Sequence, residues 1–223
     1  SHFLYNTLEN IKMLAEIEGQ RTISDALTSL GGMMRYNFKW SGEYVKLRDE
    51  LRHIRNYIDV MNIRFDEPIR PELNIPSEFM ELEVLKMSLQ PIVENAVKHA
   101  WPEFPDQEKR IKIDAIAWEE NRITINVTDN GIGMEPYRLG RLSEILRTAD
   151  NEELPSVDYG RGGVQAGGIG LRNVHQRIRL FYGNEYGIEV KSEEGEFTQV
   201  TMTFPKVLLT GGGSGHEKSD DRG

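Results

Sequence analysis

The chain has 223 residues, no cysteine and a formal net charge of −9 at pH 7, and 38% of its residues are hydrophobic. The lack of cysteine excludes disulfide bonds and thiol catalysis, and the negative charge argues against nucleic-acid binding through phosphate contacts. The length allows one domain of good size and a smaller module, and no apolar run approaches the ~20 residues that span a bilayer.

Two amphipathic helices are predicted at the start of the chain. They cover residues 2 to about 19 and about 22 to 38, with apolar residues three and four positions apart in each. Gly19 can end the first helix. Two such helices with a short join form a hairpin, and its exposed seam would favour dimerisation into a four-helix bundle. His2 and Asn6 are four residues apart, so they share one helix face.

The middle of the chain mixes helices and strands. Residues 40–46 are predicted to connect the hairpin to a second domain, and residues 47–64 to form an amphipathic helix with His53 on its surface. Residues 69–75 indicate an edge strand, because Pro71 lacks a donor for the ladder. Alternating apolar residues predict two strand hairpins, formed by 110–118 with 122–128 and by 188–192 with 198–205.

Residues 89–100, LQPIVENAVKHA, predict a helix that could meet a metal-bound polyphosphate. Pro91 suits the first turn of a helix. Asn95 has Lys98 three residues and His99 four residues further on, so the three side chains are neighbours. An amide oxygen can bind Mg²⁺, and an ammonium can meet a phosphate oxygen. Alone, this pattern is also typical of an ordinary amphipathic helix with a solvated polar edge.

Two glycine-rich stretches favour the phosphate interpretation. In VTDNGIGM, residues 127–134, Asp129 ends a predicted strand, and its carboxylate could accept a hydrogen bond from an exocyclic amine. GGIGLRN, residues 167–173, lies at the start of a helix predicted over 169–182, and glycine amides at a helix N-terminus form a phosphate site. Residues 150–163 between them are acidic and then glycine-rich, with no periodicity. Such a long loop in a compact domain is either functional or evidence of a wrong assignment.

In this order, the stretches resemble the catalytic part of sensor histidine kinases, within the GHKL group of ATP-binding proteins. ENAVKH resembles the N box, DNGIGM the first glycine box and GGIGLRN the second. HFLYNTLENI at the start resembles the phosphoacceptor motif of the LytS/YesM-like subfamily, which LRDELRHIRNYIDVMNIRF also matches. The resemblance covers about residues 2 to 206. The chain begins inside one of these motifs, so we expect it to be part of a longer protein.

The resemblance implies an α+β fold in three parts. A helical hairpin for phosphoacceptance and dimerisation is expected at 1–44, a GHKL (Bergerat-type) α/β sandwich that binds ATP at 45–209, and a disordered tail at 210–223. Segment 148–166 would be the ATP lid, mobile without nucleotide and ordered with it.

The resemblance also implies roles for individual residues. His2 would be the phosphoacceptor, Asn6 could orient it, and Asn95 would hold Mg²⁺; Glu94 is a further catalytic candidate. The acid that follows this histidine in many histidine kinases is replaced here by Phe3, so the general base stays open. The residues expected to contact ATP are Asn95, Lys98, His99, Asp129, Gly131, Gly133, Met134, Gly168, Gly170 and Leu171.

The implied activity is Mg²⁺- and ATP-dependent phosphorylation of His2, followed by phosphoryl transfer to a response regulator. The expected setting is the cytoplasmic part of a bacterial plasma-membrane protein that is a homodimer, anchored by upstream segments and without a nucleic-acid partner. A hydrolysing ATPase of the group would need a water-activating Glu where Pro91 stands. A serine kinase of the anti-sigma type would lack the hairpin. A nucleotide-sensing scaffold without catalysis is distinguished only by assay.

Overall fold

The computed structural model describes residues 2–39, 42–102, 108–118, 121–149 and 164–206. A helical hairpin precedes a mixed α/β unit. The helices are α1 (His2–Ile17), α2 (Arg21–Lys39), α3 (Leu47–Asn62), α4 (Gln90–His99), α5 (Pro136–Arg147) and α6 (Val164–Tyr182). The strands are β1 (Tyr44–Lys46), β2 (Ile69–Asn74), β3 (Glu83–Leu85), β4 (Lys109–Trp118), β5 (Arg122–Asp129), β6 (Gly187–Glu193) and β7 (Phe197–Pro205).

The N-terminal hairpin has the predicted form. Gly19 lies in the join between α1 and α2 with a φ of +69°, the left-handed conformation in which helices often end. Several apolar side chains of α1 stay exposed, and Phe3 and Ile17 are more than 70% accessible. Dimerisation through this seam stays a prediction.

A five-stranded mixed sheet with the order β2-β4-β5-β7-β6 forms the centre of the second unit. β2 pairs in parallel with β4, and the other neighbours are antiparallel. β2 lies at an edge, as Pro71 predicts, and both predicted strand hairpins are present. The short pair β1–β3 was missed, because strands of three residues show no measurable alternation. The expected hairpin followed by an α/β sandwich is therefore confirmed.

Helix α4 packs its apolar stripe into the core. Ile92, Val93, Ala96 and Val97 are all buried, as their spacing predicts. They belong to one hydrophobic core that also includes Ile113 and residues of α3 and α6. The polar edge of α4 consequently faces away from the centre of the core. Within the described ranges, none of the helices combines the length and the hydrophobicity that a membrane span requires.

The prediction that His53 lies on the surface is wrong, because only 1% of it is exposed. Helix α3 is covered by α2 as well as by the α/β unit, so its buried face is wider than an apolar stripe. That face includes Glu50, which is completely buried. The His53 ring stacks on Tyr36 of α2 with the ring centroids 4.2 Å apart.

Helix α6 begins at Val164, five residues before the predicted start at 169. A glycine inside a helix lowers helix stability by only about 1 kcal/mol relative to alanine. The residues around the second glycine box can therefore extend the helix across it. Of the predicted lid, residues 148 and 149 directly follow α5, and residues 164–166 belong to α6. Residues 150–163 lie outside the described residues, as does the predicted tail.

Candidate functional site

A pocket lies between helices α4, α5 and α6 and the ends of strands β5 and β7. The polar edge of α4 forms one wall, and the turn after β5 forms another. Seven residues predicted from the sequence to bind ATP lie in its lining. They are Asn95, His99, Asp129, Gly133, Met134, Gly168 and Leu171.

Asp129 places a buried carboxylate in this pocket. It is the last residue of β5, and it is only 6% exposed. One carboxylate oxygen accepts a hydrogen bond from the Gly131 amide at 3.0 Å, and the Thr198 amide donates a second. Burial raises the pKa of Asp129 to about 6, although the two hydrogen bonds oppose the shift. The carboxylate is therefore held in a fixed orientation in mainly apolar surroundings.

His99 lies in the same pocket with an unsatisfied ring nitrogen. Its Nε2 is buried and has no hydrogen-bond partner among the described residues. Burial lowers the pKa of His99, and the positive charges of Arg138 and Lys98 lower it further. The imidazole is consequently neutral at pH 7. A buried polar atom without a partner is costly, so this atom is suited to a hydrogen bond with a ligand.

Arg138 is a pocket residue that sequence reasoning missed. It lies in the first turn of α5 and contributes to the lining beside His99. The sequence does not single out Arg138, because α5 is a short helix with several arginines and no motif that distinguishes one of them. Thr198 was also missed, although its place opposite Asp129 in the β5–β7 register follows once the strand pairing is known.

The first glycine box is packed against protein backbone. A Cβ on Gly131 would lie 2.3 Å from the carbonyl oxygen of Ala100, at the end of α4. Gly133 has a φ of +64°, and a Cβ there would lie 1.9 Å from the carbonyl oxygen of Glu193. These glycines therefore allow close approach of protein segments, and their expected contact with ATP stays a prediction.

The second glycine box lies inside α6. Gly168 is the fifth residue of the helix, and Gly170 is the seventh. Amides beyond the first turn bond within the helix, so those of Gly168 and Gly170 are not open donors in this structure. The first turns of α6 would have to unwind before these amides could bind a phosphate.

Five predicted residues are absent from the pocket lining within the described part of the chain. Lys98 is exposed, and Gly170 faces Pro91, which would lie 3.8 Å from a Cβ at that glycine. Glu94 accepts a hydrogen bond from Gln90 of the same helix at 2.7 Å. The remaining two are Gly131 and Asn6. Asn6 lies on α1, which begins at His2 and packs against α2.

The pocket is small, with a volume of about 60 Å³. Pockets for small molecules usually measure at least ~300 Å³, so a nucleotide could enter only if the walls moved apart. The described residues contain no cluster of three or more His, Asp or Glu placed to hold a metal ion. Among the described residues, the polar side chains in the pocket lining are those of Asn95, His99, Asp129, Arg138 and Thr198.

Two family models match the chain. Residues 1–70 match the family described as histidine kinase. Residues 82–208 match the family described as histidine kinase-, DNA gyrase B-, and HSP90-like ATPase. The second match contains the whole pocket, and the first contains α1, α2 and α3.

Two curated relatives align with 92% of the chain. The sensor histidine kinase YesM of Bacillus subtilis is 33% identical over 204 residues, which are 31% of its own length. The sensor protein kinase HptS of Staphylococcus aureus is 27% identical over 204 residues, which are 36% of its length. The chain therefore spans about a third of the length of these relatives.

A solved structure supports the fold. The crystal structure of full-length ShkA in complex with AMPPNP has a TM-score of 0.51 and 15% sequence identity. The comparison covers 87% of this chain and 39% of the ShkA chain. At this identity the likeness establishes the architecture alone.

The packing of the first glycine box predicts a strong effect of adding one methyl group. Gly131→Ala should lower the free energy of unfolding by about 3 kcal/mol, because the new Cβ meets the backbone of Ala100. Gly140→Ala in α5 is the matched control: nothing lies within 4 Å of its Cβ position, and it should be neutral or stabilising by up to about 1 kcal/mol. Urea denaturation measures both changes. Equal effects of the two substitutions would contradict the packing.

The buried carboxylate predicts a pH-dependent stability difference. The pKa of Asp129 is raised from 3.8 to about 6, so the ionised group costs about 3 kcal/mol at pH 7. Asp129→Asn should therefore raise the free energy of unfolding at pH 7. As the pH falls through 6 towards 4, folded wild-type protein takes up a proton at Asp129, the cost disappears, and the difference should close. Denaturation at pH 7, 5.5 and 4 tests this, and a difference that grows on acidification is the opposite result.

Proposed function

We propose that this chain, which belongs to the family of histidine kinase-, DNA gyrase B- and HSP90-like ATPases, is the kinase core of a two-component sensor. Its N-terminal part matches the histidine kinase family. It binds ATP and moves the γ-phosphoryl group to a ring nitrogen of His2. The bond between the γ-phosphorus and the bridging oxygen breaks, a nitrogen–phosphorus bond forms, and ADP leaves. A response regulator then takes the phosphoryl group.

The buried carboxylate of Asp129 is the observation that carries this proposal. A carboxylate held by two amide donors still has acceptor capacity, and a purine amine supplies a donor of the right kind. The wall around it is mainly apolar, which suits the faces of a base. A bound amine would donate a hydrogen bond to the Asp129 carboxylate and so replace the hydration that the carboxylate loses by burial. The pocket therefore favours a base with an exocyclic amine, as adenine has.

The polar edge of the pocket suits the phosphates. The Asn95 side-chain oxygen is a ligand of the type that Mg²⁺ accepts, and Mg²⁺ commonly needs few protein ligands when phosphates and water complete its shell. When bound, Mg²⁺ would neutralise phosphate charge. Arg138 adds a permanent positive charge, and His99 can donate a hydrogen bond from its unpaired nitrogen. These residues orient the phosphates, which is the main contribution of protein to phosphoryl transfer.

Hydrolysis is disfavoured by the first turn of α4. Pro91 stands where a hydrolysing member of the group would carry a water-activating Glu, and proline has no base to offer. Glu94 is held by Gln90 and lies outside the pocket lining. Transfer to a protein nucleophile therefore fits this site better than transfer to water.

The remaining parts of the proposal concern the whole protein. The exposed apolar face of α1 supports a homodimer built around the helical hairpin. The relatives' names describe sensors, which supports a longer membrane-anchored protein whose cytoplasmic part includes this chain.

A phosphohistidine assay tests the kinase proposal. The chain is fused in helical register behind a dimeric coiled coil, because the first turn of α1 would otherwise fray. With Mg²⁺ and γ-labelled ATP, the protein should acquire an acid-labile, base-stable label. His2→Ala should remove the label, and Asn95→Ala should reduce its rate by about 100-fold or more because the phosphates lose their orientation.

The matched control is His216→Ala, which removes a histidine from the C-terminal segment. It should label like the wild type. Calorimetry of ATP binding accompanies each assay, so that loss of binding is separated from loss of transfer. A His2→Ala protein that labels at the wild-type rate would remove His2 from the reaction, and a wild type that binds no ATP would overturn the whole proposal.

A further inference from the structure

A buried polar cluster joins the helical hairpin to helix α4, outside the nucleotide pocket. Its centre is Glu50 of α3, which is completely buried. Its carboxylate accepts hydrogen bonds from the Leu89 amide at 3.0 Å and the Met87 amide at 3.1 Å. The Tyr36 hydroxyl of α2 donates a third. One carboxylate therefore holds the end of the hairpin and the loop that leads into α4.

The loop before α4 depends on this carboxylate. Met87 has a φ of +60°, a conformation that is unfavourable for a residue with a side chain. Leu89 occupies the N-cap position of α4 and provides no side-chain cap. Glu50 thus supplies, from a different helix, the negative charge and the acceptors that a helix N-terminus favours. Burial raises the pKa of Glu50, and the hydrogen bonds from Tyr36, Leu89 and Met87 oppose that shift.

A second set of side-chain contacts also links α2 to α4. The Tyr36 ring stacks on His53, and His53 Nε2 is hydrogen-bonded to Gln90, the first residue of α4. Gln90 in turn donates to Glu94, the neighbour of Asn95. The hairpin is thereby connected to the residue before Asn95 entirely through side chains of α2, α3 and α4.

The loop is also the point where α6 meets the hairpin. The Lys86 ammonium lies 5.5 Å from the centre of the Tyr36 ring and donates to the Asn37 carbonyl oxygen at 3.3 Å. Arg177 of α6 donates to the Lys86 carbonyl oxygen at 3.1 Å. A movement of α2 would therefore disturb both α4 and α6, which are two of the helices that line the pocket.

We propose that Tyr36 and Glu50 are positioning residues that couple helix α2 to the nucleotide-binding helix α4. A shift of α2 then changes the affinity of the pocket through the position of Asn95, and by reciprocity a bound nucleotide changes the position of α2. A purely stabilising contact needs no buried carboxylate, whereas a polar network fixes one arrangement of the helices that share it. The inference rests on the proposed function, since it concerns the site that binds ATP.

The test uses the whole chain and two conservative variants. Tyr36→Phe removes only the hydroxyl donor and keeps the ring that stacks on His53. Glu50→Gln keeps the size of the side chain and removes its charge. The matched control is Tyr182→Phe, because the Tyr182 hydroxyl is also buried but has no hydrogen-bond partner among the described residues. Hydrogen exchange is measured without nucleotide, and calorimetry gives the affinity for a non-hydrolysable ATP analogue with Mg²⁺.

We expect the amides of α4 to exchange at least about threefold faster in Tyr36→Phe, although the substitution is on α2. Nucleotide affinity should fall about three- to tenfold in Tyr36→Phe and Glu50→Gln, and the double variant should lose no more than Glu50→Gln alone, because both act through one interaction. Tyr182→Phe should leave both readouts unchanged.

The proposal is overturned if α4 exchanges at the wild-type rate in Tyr36→Phe, or if both variants melt earlier while their nucleotide affinity stays within twofold of the wild type. It is also overturned if the losses of the two single variants add in the double variant. A wild type that binds no nucleotide would instead refute the kinase function, and the exchange of α4 would still decide whether α2 positions it.

Discussion

The close packing of the Gly131 turn on the end of α4 is the contact on which the rest of the site depends. The Ile132 amide donates to the Ala100 carbonyl oxygen at 2.8 Å, and the absence of a side chain at Gly131 lets the two backbones meet. This contact sets the distance between β5 and α4. As a result, the carboxylate of Asp129 and the polar edge of α4 face the same pocket, although they are far apart in the sequence.

Both ends of helix α4 are therefore held by features that would each lower the stability of the fold if they stood alone. A turn that only glycine can form holds its C-terminal end, and the buried carboxylate of Glu50 holds its N-terminal end. Asp129 adds a second buried carboxylate, this one inside the pocket. Functional sites often lower the stability of a protein, because the groups that bind a ligand must be left without some of their hydrogen-bond partners within the protein itself.

The sequence predicts those parts of the fold that follow from periodicity and motifs. The apolar stripe of α4 has helical spacing, and Pro71 marks an edge strand. Burial of polar residues such as Glu50 and His53 could not be predicted, because a polar residue in a periodic pattern looks like a surface residue until the covering helix is known. Arg138 was missed for a similar reason: a single arginine on a short helix has no pattern, and only the packing of α5 brings it to the pocket.

The central claim is that Asp129 recognises the exocyclic amine of adenine. Calorimetric titration of the wild type with ATP and with inosine triphosphate tests it most directly, because the second ligand differs by carrying a carbonyl oxygen in place of that amine. The account predicts that ATP binds at least about tenfold more tightly, since a carbonyl oxygen facing the Asp129 carboxylate would leave both acceptors unpaired. Equal affinities for the two nucleotides would contradict it.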